Sequence, residues 1–238
     1  MGSFACLSFL TDYGLEDGFV AACHGVIAAR APDVRIIDVT HLVPPGDVRR
    51  GAVVLAQVVP YLPPAVHLAV VDPGVGTPRR AVVVTTGRGV LVGPDNGLLL
   101  DAAGALGGPR AAYRIRGPDP VSRTFHGRDV FAPAAAALAR GVEPAALGPP
   151  VDPAGLVRLP PPVRRLVADT VEAEVLLVDR FGNVQLAADP ALLARLGLTP
   201  GARLRLAVGA AAHDLPYRGT FGDVGVGELV AYVDSAGL

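Results

Sequence analysis

Short apolar runs alternate with segments of helical spacing along the first 150 residues of this chain. The runs are typical of buried strands, and the segments between them are typical of helices that pack on a sheet. We therefore predict an N-terminal α/β sandwich domain with a mostly parallel sheet, covered by helices on both faces. The predicted strands are 6–12, 34–39, 65–71, 81–85, 90–92 and 113–116. The predicted helices are 17–30, 47–59, 98–106 and 129–140.

Beyond residue 165 the pattern changes to short strands separated by turns. This pattern predicts a small C-terminal antiparallel β-barrel or sandwich. Prolines cluster just before it, at 149–150 and 160–162, and indicate a linker. The predicted strands are 171–179, 184–187, 203–208 and 228–233, with one short helix at 191–198. The predicted boundaries are 1–150 for the first domain, 151–165 for the linker and 166–238 for the second domain.

Composition narrows the class of protein. The chain has 238 residues, a net charge of -1 and no run long enough for a membrane span, so we expect neither nucleic acid nor a membrane as partner. Met1 to Phe9 is too short and uncharged for a signal peptide. Cys6 and Cys23 lack metal-ligand spacing and are expected to be buried thiols of a cytoplasmic protein. All 21 basic residues are arginine, which excludes lysine-dependent chemistry.

The strongest candidate chemistry follows the predicted strand 65–71. Asp72 comes at its end, a turn containing Pro73, Gly74 and Gly76 follows, and the chain then reaches Arg79. The ends of strands in α/β sheets are where ligands usually bind. A rigid, charged pocket wall and a plain connecting turn are both compatible with this stretch.

Other polar residues stand at strand ends or turns, and most have a structural explanation. Asp17 suits a helix N-cap, Asp95 with Asn96 suits a turn, and residues 179–183 suit a hairpin turn. His126 differs, because a polar ring between Phe125 and Gly127 has little local reason to be there. We expect the remaining histidines to be surface or packing residues: His24, His41, His67 and His213.

Five segments, in order along nearly the whole chain, resemble the S-adenosyl-L-methionine (SAM) hydrolase family, also called SAM hydroxide adenosyltransferases. This family is the sister group of the fluorinase and chlorinase halogenases. The segments are Phe9-Leu-Thr-Asp-Tyr-Gly14 with Asp17, Val71-Asp-Pro-Gly-Val-Gly76 with Arg79-Arg80, Gly93-Pro-Asp-Asn-Gly97, Thr124-Phe-His-Gly-Arg-Asp129 and Asp179-Arg-Phe-Gly-Asn183.

The resemblance implies an N-terminal α/β domain, a C-terminal β-barrel and a homotrimer. SAM would bind between the first domain of one subunit and the second domain of the next. It would be cleaved by water to adenosine and L-methionine, without a metal or another cofactor. The family's water-activating triad maps onto Asp72, Arg79 and His126, since Arg79 stands seven residues after the aspartate.

The resemblance also implies substrate contacts. Asp12 would accept both ribose hydroxyls. The methionine ammonium would face Asp17 and Asp179, with Ser235 at the same end. Phe181 would stack on the adenine, and Asn183 would hydrogen-bond to it.

The residue types suit this reaction. The sulfonium of SAM leaves as a neutral thioether, so the site needs no general acid. It must instead hold a nucleophile close to C5′ and away from bulk water. A guanidinium beside the water favours hydroxide character, and His126 or Asp72 would accept the proton.

Two departures from the halogenases favour water over halide. In those enzymes a tyrosine replaces the triad aspartate, and a halide-binding serine stands where this chain has Gly127. A halogenase and a non-catalytic SAM- or adenosine-binding protein remain alternatives. A dinucleotide-binding dehydrogenase is disfavoured, because the first strand is not followed by G-x-G-x-x-G.

The C-terminus also departs from the family. Family chains continue past 234–238 into another strand with adenine contacts, so we expect the second domain to be truncated or its adenine pocket to be built differently. Ala236 stands where the halogenases use an arginine for the substrate carboxylate, which puts that contact in doubt.

Overall fold

The computed structural model describes residues 2–117 and 122–238. It divides into two compact units, the first ending at Pro160 and the second running from Pro161 to Leu238. Among the described residues, no helix is both long and apolar enough to cross a membrane. Both cysteines are buried and unpaired, as predicted.

The first unit is built on a seven-stranded sheet in the order β2-β1-β3-β5-β4-β6-β7. Its strands are β1 Cys6–Thr11, β2 Arg35–Thr40, β3 Ala65–Val70, β4 Ala81–Thr85, β5 Gly89–Pro94, β6 Ala111–Arg114 and β7 Pro150–Val151. Its helices are α1 Phe19–Arg30, α2 Val48–Val58, α3 Leu100–Ala105 and α4 Ala132–Ala139, the last preceded by a π-helical turn, Gly127–Phe131.

The sheet is mixed, which corrects the prediction of a mostly parallel sheet. Strands β2, β1, β3 and β5 are mutually parallel, whereas β4 is antiparallel to both of its neighbours and β6 is antiparallel to β7. The cause is the short connection between Thr85 and Gly89. A parallel pair needs a crossover of a dozen or more residues, so this link can make only a hairpin.

Hydrophobic clusters cover both faces of the sheet, because successive strand residues point to opposite sides. In β3, Val66, Leu68 and Val70 belong to the cluster that includes residues of α1 and α4. Ala69 belongs to the opposite cluster, which includes residues of α2 and α3. Strands β1, β3 and β5 are thus buried on both sides, whereas β2, at the end of the sheet, is partly exposed. The carboxyl ends of these four parallel strands share one edge of the sheet.

The second unit contains three two-stranded antiparallel sheets and one short α-helix. The pairs are β8 Arg164–Val167 with β9 Thr170–Ala173, β10 Val175–Val178 with β11 Val184–Leu186, and β12 Arg203–Val208 with β13 Ala211–Pro216. The helix is α5, Pro190–Ala194. The chain therefore has a mixed α/β fold with a large mixed sheet and smaller antiparallel sheets.

The predicted strand at 228–233 is not formed. In that segment the structure has a single bridge, between Ala231 and Tyr217. The Ala231 amide donates to the Pro216 carbonyl, and the Arg218 amide donates to the Ala231 carbonyl. Pro216 has no N–H with which to extend the ladder, so the pairing stops there.

Candidate active site

The turn between β3 and β4 brings Asp72 and Arg79 together. Arg79 Nε lies 2.9 Å and 3.0 Å from the two carboxylate oxygens of Asp72, and Arg79 Nη2 donates to Oδ2 as well. Only 5% of the Asp72 side chain and 11% of the Arg79 side chain are exposed. Gly76 makes the turn possible, because its φ is +78° and a Cβ there would lie 3.0 Å from the Arg123 carbonyl oxygen. The result is a largely buried, forked ion pair at the edge of the sheet.

His126 extends this ion pair into a cluster of three side chains. Its Nδ1 lies 2.8 Å from Arg79 Nη2. A guanidinium can only donate, so Nδ1 must be the acceptor, and the proton of the neutral ring is assigned to Nε2. Burial, together with the Arg79 charge, lowers the pKa of His126 below its usual value, although Asp72 and Asp129 oppose this. The imidazole is therefore neutral near pH 7 and has an N–H to donate.

Phe131 supports the cluster from the apolar side. The Arg79 guanidinium carbon lies 5.1 Å from the centroid of the Phe131 ring, which is completely buried. This is a cation–π contact at a site with little water, where such contacts contribute most. Phe131 ends the π-helical turn that begins directly after His126, so one short segment carries both the ring that supports Arg79 and the ring that pairs with it.

A pocket of about 260 Å³ opens beside this cluster at the carboxyl edge of β1 and β3. Asp12, which follows β1, and Asp72, which follows β3, both line it. Asp12 Oδ2 accepts a hydrogen bond of 2.8 Å from the Gly46 amide. Burial raises the pKa of Asp12, and the Asp72 charge adds to this effect. The remaining lining residues are Tyr13, Phe19, Val70, Val75, Thr124, Phe125, His126 and Gly127.

Three aromatic rings form a wall of this pocket that the sequence analysis missed. Phe19 and Phe125 stand edge to face with centroids 5.2 Å apart, and Tyr13 packs against both, at 6.0 Å and 5.7 Å. Tyr13 and Phe125 belong to the segments that carry the family resemblance, and this could have identified them as candidate site residues. Phe19 lies at the start of α1 and had no such signal.

Gly127 is required by the Tyr13 ring. A Cβ at residue 127 would lie 2.0 Å from the Tyr13 hydroxyl oxygen and 2.9 Å from the ring carbon that bears it. Both distances are shorter than van der Waals contact, so any side chain at this position would displace Tyr13. A serine at this position, as in the halogenases, would therefore require the Tyr13 ring to move.

Asp17 and Asp95 do not line the pocket. Asp17 lies in an exposed turn, and α1 begins after Gly18 without a side-chain cap, so the N-cap interpretation of Asp17 is wrong. Asp95 is buried, accepts from Arg80 Nε at 2.6 Å and accepts from the Val157 amide at 2.8 Å. Arg80 therefore neutralises Asp95, while Arg79 pairs with Asp72.

The other candidate residues belong to the second unit. Asp179 and Asn183 bracket the β10–β11 turn: Asp179 accepts hydrogen bonds from the Phe181 and Asn183 amides and from Asn183 Nδ2. The Asn183 side chain is the largest cause of a lowered pKa at Asp179. The Phe181 ring is 84% exposed, and Ser235 lies on the surface. This turn presents an exposed aromatic ring next to a fixed carboxylate.

The fold is a mixed α/β sheet, and a charged cluster and an aromatic pocket lie at its carboxyl edge. These features define a ligand-binding α/β protein whose site can hold a polarised water. Two family models match the chain: the SAM hydroxide adenosyltransferase N-terminal domain over residues 7–148 and the corresponding C-terminal domain over residues 173–238. The chain belongs to the SAM hydroxide adenosyltransferase family.

Individual relatives agree with this assignment. An (R)-S-adenosyl-L-methionine hydrolase of Salinispora arenicola is 62% identical over 242 residues, covering 100% of this chain and 90% of the relative. A crystal structure of an uncharacterized conserved protein from Thermotoga maritima has a TM-score of 0.89 at 37% identity, covering 97% of this chain and 90% of that one. A fluorinase of Nocardia brasiliensis is more distant, at 29% identity over 97% of this chain and 87% of its own.

Proposed function

We infer that this protein hydrolyses SAM to adenosine and L-methionine. The observation that carries this inference is the cluster of Asp72, Arg79 and His126 beside a pocket with an aromatic wall. Family membership and the 62% identity to a relative named (R)-S-adenosyl-L-methionine hydrolase support the same reaction.

In this reaction a water oxygen attacks C5′, the C5′–S bond breaks, and its electron pair goes to sulfur. The products are adenosine, neutral methionine thioether and one proton. The leaving group needs no protonation, so the catalytic task is to position and polarise the water.

We assign that task to the three side chains of the cluster. His126 Nδ1 is occupied by Arg79, so the ring meets the water with Nε2–H and donates to its oxygen. Asp72 is then the proton acceptor, because a carboxylate keeps free lone pairs even when an arginine fork binds it. Arg79 fixes both partners and stabilises the negative charge that develops on the oxygen.

For substrate binding we propose that Asp12 accepts the ribose hydroxyls and that Gly127 leaves room beside Tyr13. Asp17, Asp179 and Ser235 would contact the methionine end, and Phe181 and Asn183 the adenine. The pocket is small for a ligand of this size, since such sites usually enclose about 300–1,000 Å³. Its lining residues all belong to the first unit, which supports a site completed by another surface.

We propose that this surface is the second unit of another copy in a homotrimer, with the second unit forming a β-barrel. We further propose that the reaction uses no cofactor and no metal, SAM being the substrate, and that it takes place in the cytoplasm, where thiols such as Cys6 and Cys23 stay reduced.

The halogenase alternative is disfavoured by two positions. Asp72 occupies the place of the halogenase tyrosine, and the Tyr13 hydroxyl lies where a serine side chain at 127 would begin. A non-catalytic binding protein would have no use for a buried forked ion pair next to a neutral imidazole. Burying such groups costs free energy that binding alone does not require.

The test is turnover of SAM in halide-free buffer, with adenosine and methionine measured by chromatography. The two sulfonium epimers are assayed separately, because the relative's name specifies the (R) form. We expect adenosine from the wild type, a loss of at least about 100-fold in Asp72→Ala, and wild-type rates in the exposed control Asp33→Ala. Formation of 5′-chloro-5′-deoxyadenosine with added chloride would establish the halogenase instead, and SAM binding without product would establish the binding protein.

A further inference from the structure

A second cluster of polar side chains lies outside the active site, where α1 meets the end of β2. His24 of α1 and His41, just after β2, both direct Nε2 at one carboxylate oxygen of Asp38. The distances to Asp38 Oδ1 are 2.9 Å from His24 and 3.0 Å from His41. The two imidazole centroids are 6.4 Å apart, so the rings converge on the carboxylate without stacking on each other.

The His41 ring is held in place and its Nε2 is left unsatisfied. His41 is only 4% exposed, and its Nδ1 lies 2.8 Å from Thr11 Oγ1. Its Nε2 is near Asp38, but the approach lacks hydrogen-bond geometry, so this buried nitrogen has no hydrogen-bond partner. Buried polar atoms without partners are rare, and each one calls for a ligand or another explanation.

We propose that His24, Asp38 and His41 bind a divalent transition-metal ion of the zinc type. Two imidazoles and one carboxylate are three protein ligands that such an ion favours, with water filling an open position. Ligand atoms held about 2.0–2.1 Å from one ion lie roughly 2.9–3.4 Å apart, so the observed N–O spacings need to change by only a few tenths of an ångström. All three ligand atoms already lie within 4.8 Å of one another.

The surroundings of the three ligands match those of known metal sites. A metal-bound histidine usually donates its second ring N–H to an oxygen, and Thr11 Oγ1 is placed to accept from His41 Nδ1. The side chains of Asp38 and His24 are 44% and 33% exposed, which gives the ion a path from solvent and room for water. The apolar floor is Phe9, whose ring centroid lies 4.8 Å from that of His41 and 5.8 Å from that of His24.

The site is structural, because none of its ligands lines the SAM pocket. It links α1 to the end of β2, two elements that otherwise approach through the apolar cluster shared with β1. An ion that binds only the folded chain stabilises it by mass action. Metal binding at this site does not depend on the SAM reaction, and it is measured without an enzymatic readout.

The experiment uses the full chain without a polyhistidine tag, stripped with a chelator and dialysed. Titration calorimetry with Zn²⁺ is expected to show one ion per chain, and Co²⁺ is expected to give a visible absorption band from nitrogen and oxygen ligands. The thermal midpoint is expected to rise by about 5–10 °C at a Zn²⁺ concentration one hundredfold above Kd.

Two partly exposed ligands provide variants that keep the fold: His24→Ala and Asp38→Asn. Each is expected to bind Zn²⁺ at least about tenfold more weakly and to lose the Co²⁺ band, while unfolding without metal near the wild-type temperature. Matched controls are His213→Ala in β13 and Asp33→Asn in the α1–β2 connection, which should bind like the wild type. Absence of saturable binding by the wild type, or equal affinity in His24→Ala and Asp38→Asn, would overturn the proposal.

Discussion

At the scale of single residues, Arg79 decides which ring nitrogen of His126 carries the proton. The guanidinium presents a donor to Nδ1, so a proton on that nitrogen would put two donors face to face. Burial and the Arg79 charge both lower the pKa of this histidine. The sequence indicated that these two residues act together, but it left open whether the imidazole accepts or donates.

We expect kcat/KM to be constant through neutral pH and to fall as the pH is lowered through the pKa of His126. The inflection should lie below the ordinary histidine value of about 6.5, because the lowered pKa means that the active, neutral ring persists into mild acid. The measurement is the pH profile of kcat/KM, which reports groups of the free enzyme.

His126→Asn keeps an acceptor for Arg79 but cannot titrate, so this inflection should vanish in the variant, while His213→Asn should retain it. The raised pKa of Asp12 offers a second source of acid inactivation. An unchanged profile in His126→Asn would assign the inflection to that carboxyl and contradict the prediction.

Gly127 and Tyr13 form a coupled pair. Gly127→Ala should lower stability by about 1–3 kcal/mol, because its Cβ overlaps the Tyr13 hydroxyl and forces the ring to move. Tyr13→Phe removes the closest atom, so Tyr13→Phe/Gly127→Ala should be more stable than the sum of the single changes implies. Urea unfolding of the four proteins measures this coupling, and additive free energies of unfolding would show that overlap with the Tyr13 hydroxyl is not the cause of the loss.

At the scale of elements, most strands and helices follow from the apolar pattern, but the direction of the strands does not. The apolar runs predict strands at both β4 and β5, but neither run indicates whether the two strands run parallel or antiparallel. That direction is set by the three-residue link after Thr85, a matter of chain length rather than side-chain pattern. The π-helical turn after His126 was also missed, because its residues have ordinary helical spacing.

Close backbone approach between β3 and β5 leads to a prediction about glycine. Gly93→Ala should destabilise the first unit by more than about 1 kcal/mol, since a Cβ there would lie 2.3 Å from the Ala69 carbonyl oxygen, which the ladder holds in place. The same substitution at Gly25, in α1 with nothing within 4 Å, should stabilise by about 0.5–1 kcal/mol. Chemical denaturation measures the free energy of unfolding of both variants. Equal changes would mean that the contacts of the added Cβ do not determine the effect of the substitution.

At the scale of the whole molecule, the candidate site residues are divided between two compact units. Asp12, Asp72, Arg79, His126 and Gly127 belong to the first. The resemblance assigned Asp179, Phe181, Asn183 and Ser235 to the same site, and the structure puts them in the second. The sequence thus indicated which charged and polar residues to consider. The aromatic wall of the pocket could be identified only from the three-dimensional packing of α1 against the segment around Phe125.

The proposed site between subunits of a homotrimer leads to a quantitative prediction. Asp72→Ala and Asp179→Ala should each be nearly inactive alone. When the two variants are co-expressed, random assembly leaves about one quarter of the interfaces with both wild-type residues, so activity should return to about that fraction of wild type. A site formed within one chain would give no recovery, because every chain would carry one defect.

The contact between Tyr13 and Gly127 also restricts the order in which this sequence can change during evolution. A serine at 127, the position that the resemblance assigns to halide binding in the sister enzymes, would displace the Tyr13 ring and lower stability while the tyrosine remains. A lineage moving from water to halide would avoid this loss by shortening residue 13 first, at a stage when nothing selects for the space. The two chemistries are thus separated by an ordered pair of substitutions, and ancestors that link them should show the change at position 13 before the change at 127.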